Sequence, residues 1–251
     1  MPRLIWIVWA VSFLVGAGLT RIVRRRLRRQ KSDQPDKRQE SLGRKFLSYL
    51  AIVGGILALG ELPQWAFALA LLILGSVLVG ELWEVTVPAP DRIRYSLRKI
   101  GVLWIVCGTS SCVATGLADP TGRSWGLLWL IVATNDGYAQ LIGQGWGRRR
   151  LAPRLSPAKT WEGLVGGAGI AGLVGLAQLS LHPGLSAWQM FMTAVLTGLA
   201  ASGGDLLESA GKRTLGVKDS SALLGLHGGL LDRFDSLLFA APVFVILRRI
   251  L

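Results

Sequence analysis

Acidic and basic side chains are concentrated in one stretch of this sequence, from Gly204 to Asp235. The stretch holds five carboxylates, four basic side chains, one His and several glycines, whereas the sequence around it is mostly apolar. Carboxylates beside Lys, Arg and glycine-rich turns are the groups that bind a divalent cation and phosphate. We therefore predict a metal and phosphate site in this stretch.

The first residues of the stretch have a helical spacing. Asp205, Glu208, Ser209 and Lys212 follow one another at i, i+3, i+4 and i+7, which places them on one face of a helix. A plainer interpretation is a solvated helix end with a Glu208–Lys212 ion pair. Taken alone, the spacing fits that interpretation better, so the case for a site depends on the residues that follow.

The second half of the stretch adds glycines and further charges. Glycine allows backbone N–H groups to approach an anion closely, and Asp232 and Asp235 share a face at the start of a predicted helix. A single His beside glycines is more often a turn residue than a ligand, but the density of charged groups favours a binding site. The other polar or glycine positions concerned are Lys218, Asp219, His227, Gly228, Gly229 and Arg233.

A second cluster precedes this stretch. Asn135 and Asp136 interrupt an apolar run, and an ionisable residue within a membrane span is a candidate functional residue. The basic run Arg148 to Arg150 is interpreted as a membrane anchor. Hydroxyl and ammonium groups beside a proline turn are expected to bind phosphate. These groups belong to Ser156, Lys159 and Thr160.

The elements that position these residues are predicted to be membrane-spanning helices. The chain has 251 residues, of which 51% are hydrophobic, and a mean hydropathy of +0.46. Apolar runs of about 17 to 20 residues can cross a bilayer as helices. We predict an all-α, polytopic transmembrane helix bundle of about eight spans, seven to nine, in which the fifth and eighth are more polar. The runs are 4–20, 46–62, 65–82, 100–117, 125–142, 163–181, 187–206 and 237–251.

The basic residues predict the orientation of this bundle. If the spans alternate, 24 of the 28 Lys and Arg residues fall on one side. The positive-inside rule assigns that side to the cytoplasm, so both termini are expected outside and the polar site faces the cytoplasm. We divide the chain into an uncleaved anchor with a basic linker (1–45), N-terminal helices (46–124) and a catalytic membrane domain (125–251). Cys107 and Cys112 indicate neither a disulfide framework nor a zinc site.

The polar residues of the stretch resemble a known signature, that of the phosphatidate cytidylyltransferases, also called CDP-diacylglycerol synthases. The segments Ser156 to Gly163 and Gly204 to Ser209 resemble two further blocks of that family. One block departs from it, since many bacterial members have Asp-Thr-Gly-Ala-Tyr where this chain has the run from Asn135 to Ala139. The signature run is Ser209-x2-Lys212-Arg213-x4-Lys218-Asp219-x-Ser221-x2-Leu224-Gly225-x-His227-Gly228-Gly229-x2-Asp232-Arg233-x-Asp235.

The resemblance implies an enzyme that condenses CTP with phosphatidate to give CDP-diacylglycerol and pyrophosphate. It implies one or two Mg²⁺ ions, a bacterial inner membrane location and no nucleic acid partner, and it leaves open whether the protein is a homodimer. The expected metal ligands are Asp136, Asp205, Asp219, Asp232 and Asp235, and the expected catalytic residues are Lys218, Asp219, Asp232 and Asp235. The expected substrate-binding residues are Ser156, Lys159, Thr160, Ser209, Lys212, Arg213, His227, Gly228, Gly229 and Arg233.

Three other functions are compatible with parts of the sequence. CTP-dependent transfer onto another lipid, as in a CDP-archaeol synthase or a polyprenol kinase, fits the resemblance less well than the phosphatidate enzyme does. An ion-coupled transporter should carry acids near the midplane of its spans, whereas the acids here are predicted at or beyond the span ends. A scaffold without activity is disfavoured, because the signature lacks none of its charged residues.

Overall fold

The computed structural model describes residues 2–30, 52–217, 220–221 and 229–251. The predicted site residues Lys218, Asp219, His227 and Gly228 lie outside the described residues. Within the described part the chain forms eight helices, a two-stranded antiparallel hairpin and a short 3-10 turn at Leu179–Leu181. The helices are α1 (Arg3–Gln30), α2 (Ile52–Glu61 as described), α3 (Gln64–Val85), α4 (Asp91–Ala118), α5 (Arg123–Trp146), α6 (Trp161–Ala177), α7 (Ala187–Thr214) and α8 (Leu231–Ile250). The strands are β1 (Arg150–Ala152) and β2 (Ser156–Thr160).

The prediction of an all-α membrane bundle is confirmed. Four of the described helices, α1, α3, α4 and α7, are long and apolar enough to cross a membrane, and α2 and α6 are shorter apolar helices. Helices α5 and α8 contain the polar residues that also made the fifth and eighth predicted spans less apolar. The hairpin between α5 and α6 is an addition that the sequence did not predict.

Several helices extend further than their predicted apolar runs: α1 continues to Gln30, within the predicted basic linker, α8 begins earlier at Leu231, and α4 and α7 are also longer. Helix α4 begins at Asp91, where the acidic side chain in the first turn interacts favourably with the helix dipole. Arg98, on this extension, donates to the Trp83 carbonyl at 2.9 Å and lies 4.2 Å from the Trp83 ring centroid, which joins α4 to α3. Helix α7 continues to Thr214 and ends in a Schellman motif, in which Gly216 has a φ of +71°.

Helix α5 forms the centre of the bundle. Residues 125–135 are all buried, and their mostly apolar side chains pack against α1, α6, α7 and α8. Small residues allow the backbones to approach closely, since a Cβ placed on Gly167 of α6 would lie 2.6 Å from the Asn135 carbonyl oxygen of α5. Gly204 of α7 makes an equally close approach to the Asp235 carbonyl oxygen of α8. The first contact brings α6 to the polar segment of α5, and the second joins α7 to α8.

The packing also fixes the direction of the helices. Gly126 of α5 packs against Ile5 of α1 near the start of both helices, and Gly145 packs against Val23 near their ends, so α1 and α5 are parallel. The contact of Gly108 with Leu238 places α4 beside α8. Glu81, near the end of α3, accepts a hydrogen bond from the backbone N–H of Leu231 at the start of α8. The end of α3 therefore lies beside the start of α8. The ends of α3, α5 and α7 and the start of α8 therefore meet on one side of the bundle.

Candidate active site

The first acidic residue of the site lies inside the bundle on α5. Asp136 is roughly 15 Å along the helix axis from the end of α5 at Trp146, at 1.5 Å per residue. Its neighbour Asn135 is fully buried, and the Asn135 Nδ2 donates to Oδ1 of Asp136 at 3.0 Å and to Oγ of Ser202 on α7 at 2.9 Å. The side chain of Ser236 on α8 hydrogen-bonds to Asp136 as well. Three helices therefore hold this part of the site.

The hairpin supplies a lysine to the same region. The Lys159 Nζ lies 2.7 Å from Oδ2 of Asp205 on α7 and donates to the Ser202 carbonyl at 3.3 Å. Ser209, one turn further along α7, donates to Oδ1 of Asp205 at 3.4 Å. The side chains of Lys159 and Asp205 remain 22% and 39% exposed, so both can reach a ligand that enters from the open end of the bundle.

The other predicted phosphate ligands near the hairpin have structural contacts. The Thr160 hydroxyl accepts the backbone N–H of Gly163 at 3.1 Å and caps the N-terminus of α6. Ser156 is partly buried and pairs with Ala152 across the hairpin. The exposed Arg213 donates to two backbone carbonyls, one at the hairpin turn and one after the end of α7. Direct phosphate binding by Ser156, Thr160 and Arg213 stays a prediction.

A second ionic cluster joins α7 to α8. The Lys212 Nζ lies 2.5 Å from Oδ1 of Asp232 and also forms an ion pair with Oε2 of Glu208. The Oγ of Ser220 lies 2.9 Å from Oε1 of Glu208 and 3.1 Å from Oδ1 of Asp232. Glu208 is only 5% exposed. Removing one member would leave a buried charge without its partner, so the cluster is expected to act as a unit.

Asp232 has further contacts that hold the chain on either side of residues 222–228. Its Oδ2 accepts the backbone N–H of Ser220 at 3.0 Å and that of Gly229 at 2.7 Å. Together with Lys212 and the Ser220 hydroxyl, these donors occupy both oxygens of the carboxylate. The predicted role of Asp232 as a metal ligand stays a prediction, and its contacts here fix the start of α8.

Asp235 lies one turn further along α8. Of the described acidic residues in the signature run from Ser209 to Asp235, it is the least exposed. It is 6% exposed, and its Oδ1 accepts the backbone N–H of Ser236 at 2.7 Å. The charges of Asp205, Glu208 and Asp136 all act on Asp235, so these carboxylates lie within electrostatic range of it. Arg233 lies on the exposed side of the same turn.

The donor chemistry of this cluster fits a hard divalent cation. Asp136, Asp205 and Asp235 provide carboxylate oxygens, the ligands that Mg²⁺ prefers. The Oδ1 of Asn135 is a buried acceptor without a hydrogen-bond partner in the described part of the chain. Among the described residues, no three His, Cys, Asp or Glu side chains already converge as a metal cage. The Lys159 ammonium partly neutralises the charge of the Asp205 carboxylate. The further predicted ligand Asp219 lies outside the described residues.

Sequence reasoning missed several residues of this region. Glu81 of α3 is 5% exposed and contacts both ends of the signature segment, although it belongs to the third apolar run. Glu81 could have been recognised from the sequence, because an acidic residue within a membrane span is a candidate functional residue. Ser202, Ser220 and Ser236 were also missed, because a serine carries no spacing signal of its own.

Comparison with known proteins gives several relatives of the chain. It is 39% identical over 177 residues to the uncharacterized protein YnbB of Escherichia coli K12, covering 68% of this chain and 57% of that protein. It is 43% identical over 116 residues to the phosphatidate cytidylyltransferase of Brucella abortus, covering 46% of this chain and 43% of that enzyme. With the Rickettsia prowazekii phosphatidate cytidylyltransferase it shares 32% identity over 211 residues, 78% of this chain and 90% of that enzyme.

The extent of these matches differs between relatives. The chain spans about half the length of the first two proteins, 57% and 43%. The family model of the cytidylyltransferase family matches residues 4–251, which is nearly all of the sequence. This match includes both ionic clusters and all the helices that position them. The chain therefore belongs to the cytidylyltransferase family.

Proposed function

We propose that the protein is an integral membrane nucleotidyltransferase that condenses CTP with phosphatidate to give CDP-diacylglycerol and pyrophosphate. The observation that carries the proposal is that Asp136, Asp205 and Asp235, from three helices, lie within electrostatic range of one another beside Lys159. Such a set of carboxylates and a lysine suits a triphosphate with its divalent cation. The names of the Brucella and Rickettsia relatives support the same reaction.

The reaction needs no nucleophilic side chain. An oxygen of the phosphatidate phosphate attacks the α-phosphorus of CTP in line, and the bond from that phosphorus to the bridging oxygen breaks. The bridging oxygen and its electron pair leave with pyrophosphate, and the lipid phosphate becomes part of a diphosphate. The protein therefore has to position two anionic substrates and stabilise the charge of the leaving group.

The described residues divide these tasks between them. The Lys159 ammonium lies near the carboxylate cluster and remains partly exposed. It can therefore leave its ion pair with Asp205 and bind a phosphate oxygen of the substrate. Lys212 is more enclosed between Glu208 and Asp232 and keeps the start of α8 against α7. One or two Mg²⁺ ions held by the carboxylate cluster, with Asp219 and Asp232 as further ligands, would neutralise the triphosphate.

The orientation follows from the substrate and from charge. CTP is a cytosolic nucleotide, and the basic segments on the side of the site favour the cytoplasm by the positive-inside rule. We therefore propose that the site opens to the cytoplasm of a bacterial cell and takes phosphatidate from the bilayer. Association into a homodimer stays a prediction, which light scattering of the detergent-solubilised protein would test.

The direct test is an assay of the purified protein in detergent with CTP, Mg²⁺ and phosphatidate, following CDP-diacylglycerol. Turnover should require the divalent cation and disappear on addition of EDTA. Asp235→Asn keeps the shape of the side chain and removes its charge, so we expect a loss of several kcal/mol of transition-state stabilisation. The matched control is Asp91→Asn, since Asp91 is an exposed acid far from the cluster in sequence. Near-normal turnover by well-folded Asp235→Asn would remove that residue from the site.

The alternatives make different predictions in the same assay. A CDP-archaeol synthase would use an archaeal ether lipid and fail with phosphatidate, and a polyprenol kinase would phosphorylate a polyprenol. The argument against a transporter was that the acids lie at or beyond the span ends, but Asp205 lies roughly 13 Å inside the end of α7 at Thr214. The case against a transporter is now the family membership rather than the depth of the acids.

A further inference from the structure

Glu81 is a buried carboxylate that belongs to none of the predicted site residues. It lies in the last turns of α3, an otherwise apolar helix, and is 5% exposed. An ionised carboxylate in such surroundings loses its hydration, and this cost must be offset by the hydrogen bonds that it accepts. The residues that donate to Glu81 therefore indicate its role.

The donors to Glu81 lie at both ends of the signature segment. Its Oε1 accepts a short hydrogen bond from the Ser221 hydroxyl, and its Oε2 accepts the backbone N–H of Leu231 at 2.7 Å. The backbone passes very close to this carboxylate, because a Cβ placed on Gly229 would lie 1.8 Å from Oε1 of Glu81. Only glycine can occupy that position without displacing Glu81.

A second carboxylate makes the corresponding contacts from the other side. Asp232 accepts the backbone N–H groups of Ser220 and Gly229, while Glu81 contacts their neighbours Ser221 and Leu231. Each carboxylate therefore bridges the residues before and after 222–228. One bridge comes from within the signature, and the other comes from a helix about 150 positions earlier in the sequence.

The contact with Leu231 has a specific effect on α8. Leu231 is the first residue of α8, where backbone N–H groups have no partner within the helix, and Leu230 at the cap position provides no side-chain acceptor. Glu81 supplies this acceptor from α3, and a negative charge at a helix N-terminus is favourable. Asp235 lies one turn beyond this capped end.

We propose that Glu81 is a positioning residue for the reaction: it caps α8 from α3 and holds Ser221, and thereby orients Asp235 toward the carboxylates of α5 and α7. It acts through Leu231 and Ser221 and does not touch substrate. The kinetic part of this inference rests on the proposed function, whereas the capping of α8 does not.

The structural test is hydrogen–deuterium exchange of the full-length protein in detergent. Glu81→Ala removes the cap, and Glu81→Gln keeps the volume and one acceptor oxygen. We expect faster exchange in peptides covering 229–236, at least tenfold for Glu81→Ala and less for Glu81→Gln, with unchanged exchange in the central part of α5. The matched control is Glu84→Gln on the exposed side of the same helix, which should leave all peptides unchanged. Unchanged exchange at 229–236 in both Glu81 variants would overturn the proposal.

The kinetic test separates positioning from a general loss of stability. We expect kcat to fall at least tenfold in Glu81→Ala and less in Glu81→Gln, with the KM for CTP changed less than twofold. Ser221→Ala should lower kcat in the wild-type background and have almost no further effect in Glu81→Ala, because both changes break the same contact. Fully additive losses would contradict the proposal. A wild-type protein without cytidylyl transfer would refute the proposed function and leave the exchange result to decide the role of Glu81.

Discussion

At the residue scale, the carboxylates of the site differ in how far they are already paired. Glu208 and Asp232 are bound to Lys212 and Ser220, and Asp232 also holds the backbone at Gly229. Within the described part of the chain, Asp235 accepts a hydrogen bond from the backbone N–H of Ser236 and lies within range of the charges of other acids. Mutual repulsion between neighbouring carboxylates raises the energy of such a cluster, and a bound cation would relieve it. Asp235 is therefore a better candidate for a metal ligand than Glu208, whose ion pair with Lys212 is better suited to maintaining the geometry of the site.

The role of Lys159 can be tested by substitution within the hairpin. Lys159→Gln removes an ammonium that lies beside Asp205 and remains accessible to a phosphate. We expect kcat/KM for CTP or phosphatidate to fall at least tenfold, a loss of about 1.4 kcal/mol. Arg154→Gln, at the exposed turn of the same hairpin, is the matched control and should change kcat/KM less than twofold. Equal effects of the two substitutions would mean that Lys159 contributes only general positive charge.

His182 predicts a pH dependence of stability at the opposite end of the bundle. It lies between the 3-10 turn and α7, and burial, followed by the nearby charge of Arg248, lowers the pKa of His182 to about 4. Below its ordinary pKa of about 6.5, the unfolded chain binds a proton that the folded protein does not bind. The free energy of unfolding should therefore fall as the pH decreases from about 6.5 to 4, by up to about 3 kcal/mol.

The measurement compares thermal unfolding in detergent at several pH values for the wild type and His182→Gln. Glutamine does not titrate, so the variant should lose less stability between pH 7 and pH 4.5 than the wild type does. Parallel pH profiles for the two proteins would show that the folded protein accommodates the protonated imidazole.

At the element scale, close packing of α7 against α8 determines the distance between the two halves of the signature. A Cβ at Gly204 would lie 2.6 Å from the Asp235 carbonyl oxygen and 2.7 Å from the Cβ of Phe239, so the helices would have to separate. Gly203, the preceding residue, has only one atom near its Cβ position, an atom of Phe239 at 3.9 Å. Two neighbouring glycines of one helix therefore differ sharply in the space available to a side chain.

This difference gives a matched pair of substitutions. Gly204→Ala should destabilise the protein by about 1–3 kcal/mol through overpacking, and it should also lower activity by moving Asp235. Gly203→Ala should be neutral or stabilising by up to about 1 kcal/mol, because alanine favours the helix more than glycine does. Melting temperatures in detergent, measured together with turnover, test both expectations. A stable and active Gly204→Ala protein would mean that the two helices can separate without consequence.

The sequence predicted the helices of this fold better than the contacts between them. Apolar runs define spans because about 20 apolar residues are needed to cross a bilayer, and all eight predicted runs correspond to described helices. The hairpin was missed because strands of three and five residues are too short for an alternating pattern to be recognised. The bond between Glu81 and Leu231 joins residues 150 positions apart, and no local pattern reports such a pairing.

At the scale of the whole molecule, the account requires the site and most basic segments to share one side of the membrane. The parallel course of α1 and α5 and the meeting of the ends of α3, α5 and α7 agree with alternating spans. Under the proposed function, this arrangement lets CTP reach the open end from water and phosphatidate reach it from the adjoining leaflet. The net charge of +13 favours association of this side with anionic lipid.

Labelling of single cysteines in intact cells tests this topology. One cysteine is placed in the basic linker Arg21 to Lys45, a second at the hairpin residue Arg154 and a third at Gly184 between α6 and α7, with Cys107 and Cys112 replaced by Ser. We expect an impermeant maleimide to label only the cysteine at 184, because the proposed orientation places the other two on the cytoplasmic side. If the reagent labelled the linker cysteine but not the cysteine at residue 154, these two segments would lie on opposite sides of the membrane. The eight-span arrangement would then be wrong.

The central claim is that the cytidylyl group of CTP is transferred to the lipid phosphate. The most direct measurement gives the purified protein phosphatidate, Mg²⁺ and CTP labelled with ³²P at either the α or the γ position, and follows label in the lipid and in pyrophosphate. We expect α-label in the lipid, γ-label in pyrophosphate in equal amount, and neither with Asp235→Asn. Transfer of γ-label to the lipid would identify a kinase, and absence of transfer from either position would contradict the proposed function.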